Sequence, residues 1–355
     1  MVQFRKDLAH LENYKIEKMA KYNLGDNENH LIDWSFLPEK LGKELDLTDI
    51  MCYGDNQYAP LLKKYAKNLG VETNQLVQGV GSDQLIHMIV TTFLNKEDTL
   101  LTVGPDFFMY QVFNELHGAQ IATFPLDWTQ GYPTLEALAL LDYAKGVEAK
   151  VLILSNPNNP TSVAFENGQL EQVIAGFDGL VVIDEAYIDF ADQPSLVNKV
   201  TDYNNLIVLR TMSKAFGLAG LRLGFAITNP ILAKELDKVL PPYSMPNIVA
   251  RTGELALSYG QNVAESVELN KEIRDDFIAF LLQQPAMKVL PSQTNFVTFT
   301  APYAEKIYQA GLANDFNFKY YPQGSLANYI RMSMDAPAIM GKMKKIIEMV
   351  SADEQ

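Results

Sequence analysis

The sequence predicts an α/β fold: a large, doubly wound domain on a mainly parallel sheet, joined to a smaller α+β domain. Three observations carry this. Apolar strand-like runs alternate with helical segments over residues 79–227, the pattern of a parallel sheet covered by helices. The run GLVVI at 179–183 has no polar alternation, as a strand buried on both faces requires. PPYSMP at 241–246 then breaks the chain and marks a crossing to a second domain. The large domain is expected over residues 33–240, and the small one over 1–32 together with 241–355.

Composition narrows the class. The 355-residue chain is 48% hydrophobic and 20% charged, an ordinary globular balance with apolar residues enough for a large core. A net charge of −14 and a pI near 4.8 argue against a nucleic-acid or anionic-membrane surface, while a local basic pocket for phosphates stays compatible. Cys52 is the one cysteine, so no internal disulfide framework is expected and a reducing, cytoplasmic setting fits. The N-terminal stretch holds no apolar signal core, and no apolar run approaches the roughly 18 residues of a membrane span. His10, His30, His87 and His117 are scattered without metal-ligand spacing, so no metal site is expected.

In chain order, residues 1–23 read as helical and then irregular, and 24–30 (LGDNENH) place Asn27, Glu28, Asn29 and His30 in a row. Residues 51–56, with Tyr53, are a turn-rich link to a helix at 59–69. QGVGSDQ at 78–84 precedes an apolar helix at 85–94. Gly81, Ser82 and Asp83 there look like a phosphate cradle, because glycines let the backbone approach and a helix N-terminus offers free N–H groups. Gln84 stands where a dinucleotide fingerprint needs its third glycine, and without a ligand Ser82 or Asp83 would be ordinary caps.

A strand at 99–103 leads into GPDFFMY at 104–110, where three aromatics stand close together and Phe108 and Tyr110 read as core residues. Strands follow at 121–125 and 151–154, separated by a helix at 134–141. SNPNNPT at 155–161 carries two Asn-Pro steps, which exclude helix and enforce an irregular loop around Asn159. DEAY at 184–187 stands at the carboxyl end of the 179–183 strand, where open α/β sheets place ligand groups.

Strands at 207–209 and 223–227 bracket RTMSKAFGLAGLR, which holds Thr211, Ser213, Lys214 and Arg222. A helix at 230–240, a long helix over roughly 248–282, then short strands and helices complete the chain. YIRMS at 329–333 reads as a strand whose Arg331, set between apolar residues, is costly to bury unless paired.

Lys214 follows a strand end, between a hydroxyl and a glycine-containing turn. A lysine so placed suits a Schiff base with a carbonyl cofactor. Pyridoxal phosphate needs such a lysine and a site for its dianionic phosphate; Ser213, the turn's N–H groups and the Arg222 fork offer one. Alone, the stretch is equally a surface loop beside a solvated arginine. In order with Asn159, Asp184 and Tyr187, it resembles the lysine motif of fold-type-I pyridoxal-phosphate aminotransferases, especially their histidinol-phosphate branch.

That resemblance implies a seven-stranded sheet of the PLP-transferase kind and a role for each residue. Lys214 would carry the cofactor and act as general base. Asp184 would pair with the pyridine nitrogen and keep the ring an electron sink. Tyr187 and Asn159 would bond the ring oxygen, and Phe107 would stack on the ring. Gly81, Ser82, Asp83, Thr211, Ser213 and Arg222 would complete the cofactor site. Tyr53 would reach the cofactor phosphate of a neighbouring subunit, which implies a homodimer. Arg331 would clamp the substrate's carboxylate or phosphate, with Tyr14, Asn27, Tyr243 and Lys319 on the substrate side.

The implied reaction is ping-pong transamination between a small-molecule amino donor and a 2-oxo acid, histidinol phosphate with 2-oxoglutarate in histidine biosynthesis. Three positions depart from the family's pattern: His30 replaces a usual proline, Ser162 a usual glycine, and Lys319 an arginine, keeping charge but losing the fork. Open alternatives are an aminotransferase for aromatic or other amino acids, a threonine-phosphate decarboxylase, and a non-catalytic cofactor-binding regulatory module.

Overall fold

A computed structural model describes the chain at Leu8, at residues 20–55 and at residues 58–354; Tyr14 lies outside them. The strands are β1 (Tyr22–Asn23), β2 (Leu76–Val80), β3 (Thr99–Gly104), β4 (Gln120–Pro125), β5 (Ala149–Ser155), β6 (Leu180–Asp184), β7 (Leu206–Thr211), β8 (Leu223–Thr228), β9 (Lys288–Val289), β10 (Phe296–Thr300), β11 (Phe316–Asn317), β12 (Lys319–Tyr321) and β13 (Tyr329–Ser333). The helices are α1 (Leu37–Glu44), α2 (Thr48–Met51), α3 (Ala59–Leu69), α4 (Gly81–Phe93), α5 (Met109–His117), α6 (Ala137–Gly146), α7 (Asn167–Gly176), α8 (Pro230–Asp237), α9 (Asn247–Ala256), α10 (Gly260–Leu281), α11 (Ala304–Ala313) and α12 (Pro337–Ala352).

The large sheet has seven strands in the order β2-β8-β7-β6-β5-β3-β4. All its pairs are parallel except those of β8, which is antiparallel to β2 and β7. Strands β6, β7 and β8 are buried throughout, which is why they read as apolar runs. Successive side chains point to opposite faces. Val181 and Ile183 pack with α6 and α7 residues such as Leu140 and Val173, whereas Leu180 and Val182 pack with Leu85 and Ile89 of α4.

β4 lies outside β3, while β5, β6 and β7 step away on the other side, so the strand order reverses between β3 and β5. Ligand crevices form outside the carboxyl ends of strands at such a switch point. Here those ends carry residues 104–110, 155–161, Asp184 and 211–214.

A second, antiparallel sheet (β12-β13-β10-β9) packs Val297, Phe299, Ile330 and Met332 against Phe277 of α10 and Met343 of α12. Leu24 joins this core, and β1 pairs in parallel with β11.

Two elements differ from expectation. The long helix expected over 248–282 is broken by a single 3-10 turn at Leu257–Tyr259. Leu255 and Ala256 of α9 bury into the large-sheet core beside Leu61, and Phe277 and Leu281 of α10 into the small-sheet core. One straight helix would not present apolar faces to both, so the chain turns from one core to the other at this break. The helix expected at 134–141 begins at Ala137, because Thr134 exchanges both backbone hydrogen bonds with Asp127.

Candidate active site

Helix α4 begins at Gly81 with φ +75° and has no side-chain cap; Gly81 N donates to Arg222 O (2.8 Å), while the next first-turn N–H groups and the positive dipole end remain available to an anion. A Cβ on Gly81 would stand 2.7 Å from Arg222 Nη2, so only glycine lets the guanidinium lie over the helix start. Arg222 itself sits at φ +53°. It donates through Nη2 to Asp83 (3.1 Å), and through Nη1 to Ala219 O (3.3 Å) and, at 3.5 Å, to Ser213 Oγ. Ser82 lies in the same first turn. The Thr211 hydroxyl donates to Leu223 O (3.1 Å) and accepts from Ser213 N (3.1 Å), so it shapes the loop.

Lys214 is half-buried, and its Nζ donates to Asp26 O at 2.8 Å. Burial, then the nearby Arg331 charge, push its amine down to about 8 despite the opposing carboxylates of Asp26 and Glu28. Asp184 ends β6. Its Oδ2 accepts from Tyr110 OH (3.0 Å) and its Oδ1 from Ala186 N (3.1 Å). Burial pushes its carboxyl up to about 6, against those two bonds. The buried Tyr187 OH accepts from Asn27 Nδ2 at 3.0 Å and from Asn159 Nδ2 at 3.5 Å.

Arg331 joins this cluster from β13. Its Nη1 donates to Asn159 Oδ1 (2.6 Å) and its Nη2 to Gly25 O (2.5 Å), and its guanidinium lies over Phe296, 5.4 Å from the ring centre. The buried Arg331 Nε has no partner among the described residues. In register, Lys319 of β12 stands directly opposite Arg331, as does Thr298 of β10. Directly opposed residues share a sheet face, so two cations share the face that carries Phe296 and Ser333.

Residues 24–34 form a strap across these groups. Besides Gly25 O and Asp26 O, Asn27 accepts from Ser333 Oγ (3.1 Å), and Asn29 Nδ2 donates to Ala215 O (3.0 Å) and Ser266 Oγ (2.7 Å). His30 lies between Glu28 and Asp335, 3.1 Å from each, and those contacts raise its imidazole to about 10.

The structure thus brings together Gly81, Ser82, Asp83, Asn159, Asp184, Tyr187, Ser213, Lys214, Arg222, Arg331 and Asn27, with Lys319 at the edge. Phe107 is half-buried and edge-on to Tyr110 at 5.6 Å; Phe108, expected in the core, is 48% exposed. Tyr53 and Tyr243 do not enter the buried cluster. They are 82% and 46% exposed and stack on one another at 4.5 Å.

Sequence reasoning missed the Tyr110 bond to Asp184, although three-residue spacing from Phe107 puts both rings on one side of a helix start. It also missed the strap's carbonyl acceptors, which carry no sequence signature.

These residues fit pyridoxal phosphate. The uncapped helix start, Ser213 and Arg222 suit its phosphate, and the glycine at 81 keeps that cradle open. Asp184, Tyr187 and Asn159 offer a carboxyl, a phenol and an amide for its ring, with Lys214 for its carbonyl. The orphaned Arg331 Nε suits a second anion. Among the described residues there is no cluster able to hold a metal ion, and no helix long and apolar enough to cross a membrane.

A sequence profile described as aminotransferase class I and II matches residues 20–349. The histidinol-phosphate aminotransferase of Clostridium kluyveri is 31% identical over 350 residues, 97% of this chain and 99% of the relative. That of Clostridium novyi is 31% identical over 332 residues, 93% and 92% of the two chains. The crystal structure of histidinol-phosphate aminotransferase from Sinorhizobium meliloti in complex with pyridoxal-5'-phosphate superposes with a TM-score of 0.90 at 22% identity, covering 100% of this chain and 99% of the other. The chain belongs to the aminotransferase class I and II family.

Proposed function

We propose that this pyridoxal-phosphate aminotransferase takes histidinol phosphate as its amino donor and 2-oxoglutarate as its acceptor. The observation that carries the donor is Lys319 set opposite Arg331 on the site-facing side of the small sheet. Two cations suit a phosphate dianion better than the single carboxylate of a common amino acid. The relatives' shared activity points the same way.

The cofactor supplies a carbonyl that accepts the donor's amine and a ring that accepts the electron pair released at the donor's carbon. The chain's residues do the rest. Lys214, whose amine is pushed down to about 8, would take the proton from the donor carbon and return it to the carbon that was the cofactor's carbonyl. Asp184, held by Tyr110, would keep the ring nitrogen protonated. Tyr187 and Asn159 would hold the ring oxygen, and Phe107 would stack on the ring. Ser213, Arg222 and the start of α4 would hold the phosphate, with Asp83 orienting Arg222.

The same reading includes a homodimer in the cytoplasm and the division into residues 33–240 and residues 1–32 with 241–355. Leu47, Ile50 and Met51 are 67%, 72% and 72% exposed beside Tyr53, an apolar surface that a second copy would cover. Tyr53 would then meet the partner's cofactor phosphate, and Tyr243 would line the substrate pocket.

The test is the visible absorption band of the purified protein with bound cofactor. Histidinol phosphate, phenylalanine, tyrosine and glutamate are each added without a 2-oxo acid. Fast loss of the band with histidinol phosphate alone supports the donor. Loss with the aromatic amino acids alone moves the donor and keeps the reaction, and release of carbon dioxide instead would make the chain a decarboxylase. Light scattering of the eluted protein, read as a monomer, would remove the shared site.

A further inference from the structure

Asp106 has no part in that chemistry, yet it stands at the switch point. Its half-buried carboxylate accepts three hydrogen bonds: Ser155 N (3.1 Å) on Oδ2, and Ser155 Oγ together with Phe107 N (2.7 Å) on Oδ1. Ser155, buried at the end of β5, accepts in turn from Asn159 N (3.0 Å) and Asn158 Nδ2 (3.3 Å) on Oγ. Asn158 Nδ2 reaches back to Pro105 O (3.2 Å). The loops after β3 and β5 are thereby closed into one ring of bonds. Phe107 leaves it on one side and Asn159 on the other, and Asn159 continues to Arg331 and Tyr187.

We infer that Asp106 is a positioning residue of the active site, fixing Phe107 and Asn159 relative to each other through Ser155. The inference rests on the aminotransferase reading above. The side-chain type matters. Three donors converge on the group, and a carboxylate is acceptor-only, whereas an amide would turn an N–H₂ toward a donor. Burial pushes the carboxyl up to about 8, against those three bonds, and the ionised form is the one that accepts all three at once. A hydroxyl at 155 is required as well, because it both donates to Asp106 and accepts from Asn159 N.

The experiment compares the wild-type enzyme with Asp106→Asn and Ser155→Ala. It measures the cofactor dissociation constant by titrating apoprotein, the visible circular dichroism of the bound cofactor, kcat and KM, and thermal melting. Visible circular dichroism reports ring orientation and does not respond to stability alone. Both variants are expected to raise the cofactor dissociation constant about tenfold, as leaving one buried polar group unsatisfied does, and to weaken the visible dichroism. The donor's KM should rise too, because Arg331 leans on Asn159. Variants that melt earlier but keep wild-type dichroism and a dissociation constant within about twofold, well under one such bond, would make Asp106 a strand-end cap and overturn the inference. Should Asp106→Asn not fold, Ser155→Ala decides alone. A wild-type protein that binds no pyridoxal phosphate would instead overturn the proposed function, and this inference with it.

Discussion

On the large-sheet side of the site, Ser155, Asp184 and Thr211 are the last residues of buried strands, so the sheet's hydrogen-bond ladder fixes their backbones. On the opposite side, Arg331 stands on a strand, but its two partners differ in kind: a side chain of the 155–161 loop and a carbonyl of the strap. The strap itself has no regular structure between β1 and α1. Side-chain bonds from Asn27, Asn29 and His30 tie it to Ser333, Ala215 and Asp335. One wall is therefore rigid by construction, and the other is held by bonds that can be exchanged singly. A cofactor that stays suits the first wall, and a substrate that must enter and leave suits the second.

The largest effect falls on the rigid wall. Lys214→Ala should keep cofactor binding through Ser213, Arg222 and the start of α4, and lose the proton transfer, a fall of about 10²–10⁴-fold or more in kcat. Single-turnover absorbance with donor measures it, and full activity would sink the assignment. On the exchangeable wall, Arg331→Gln should raise the donor's KM by about a hundredfold, the size of a lost bidentate contact to an anion. The bound cofactor's absorption should be unchanged. A cofactor that dissociates in this variant would mean that the walls are not separable.

The contrast also explains what was legible in the sequence. The large sheet could be read because buried parallel strands must be apolar throughout, and because Asn159, Asp184, Tyr187, Ser213, Lys214 and Arg222 follow strand ends in order. The turn at Leu257–Tyr259 was invisible, since its residues continue a helical pattern and the reason for the break, two separate cores, is tertiary. Gly25 O and Asp26 O were invisible because every residue has a carbonyl. Tyr110 looked like a core ring because nothing local says that its hydroxyl meets Asp184, 74 residues away.

His30 tests how firmly the strap is fastened. Its imidazole is raised to about 10 in the folded chain by hydrogen bonds to Asp335 and Glu28, above the roughly 6.5 of an unfolded histidine. A raised folded value means that the stabilisation is fully present below pH 6.5 and is lost as pH rises toward 10. The side chain is 48% exposed, so solvent screening makes the effect modest. Wild type should melt above His30→Gln at pH 6, and the gap should close by pH 10. A gap independent of pH would mean that His30 acts by shape alone.

The smallest effect is expected at Ser162, where the family's glycine is replaced. The residue keeps a left-handed backbone, φ +68°, although it carries a Cβ, a conformation that costs an L-residue roughly 1–2 kcal/mol. Its Oγ bonds Thr161 O and, at 3.2 Å, Pro291 O, and its own carbonyl accepts from Gln293 N (2.9 Å), tying the Asn159 loop to the approach to β10. Ser162→Gly removes the strain but also loses a hydrogen bond of about 1 kcal/mol and adds unfolded-state entropy of roughly 0.5–1 kcal/mol. These nearly cancel, so denaturant unfolding should place it within about 1 kcal/mol of wild type. Ser162→Ala keeps the strain and loses the bond, so it should fall about 1 kcal/mol below wild type. If alanine proved as stable as serine, the Pro291 contact would contribute nothing, and the loop around Asn159 would be held by backbone bonds alone.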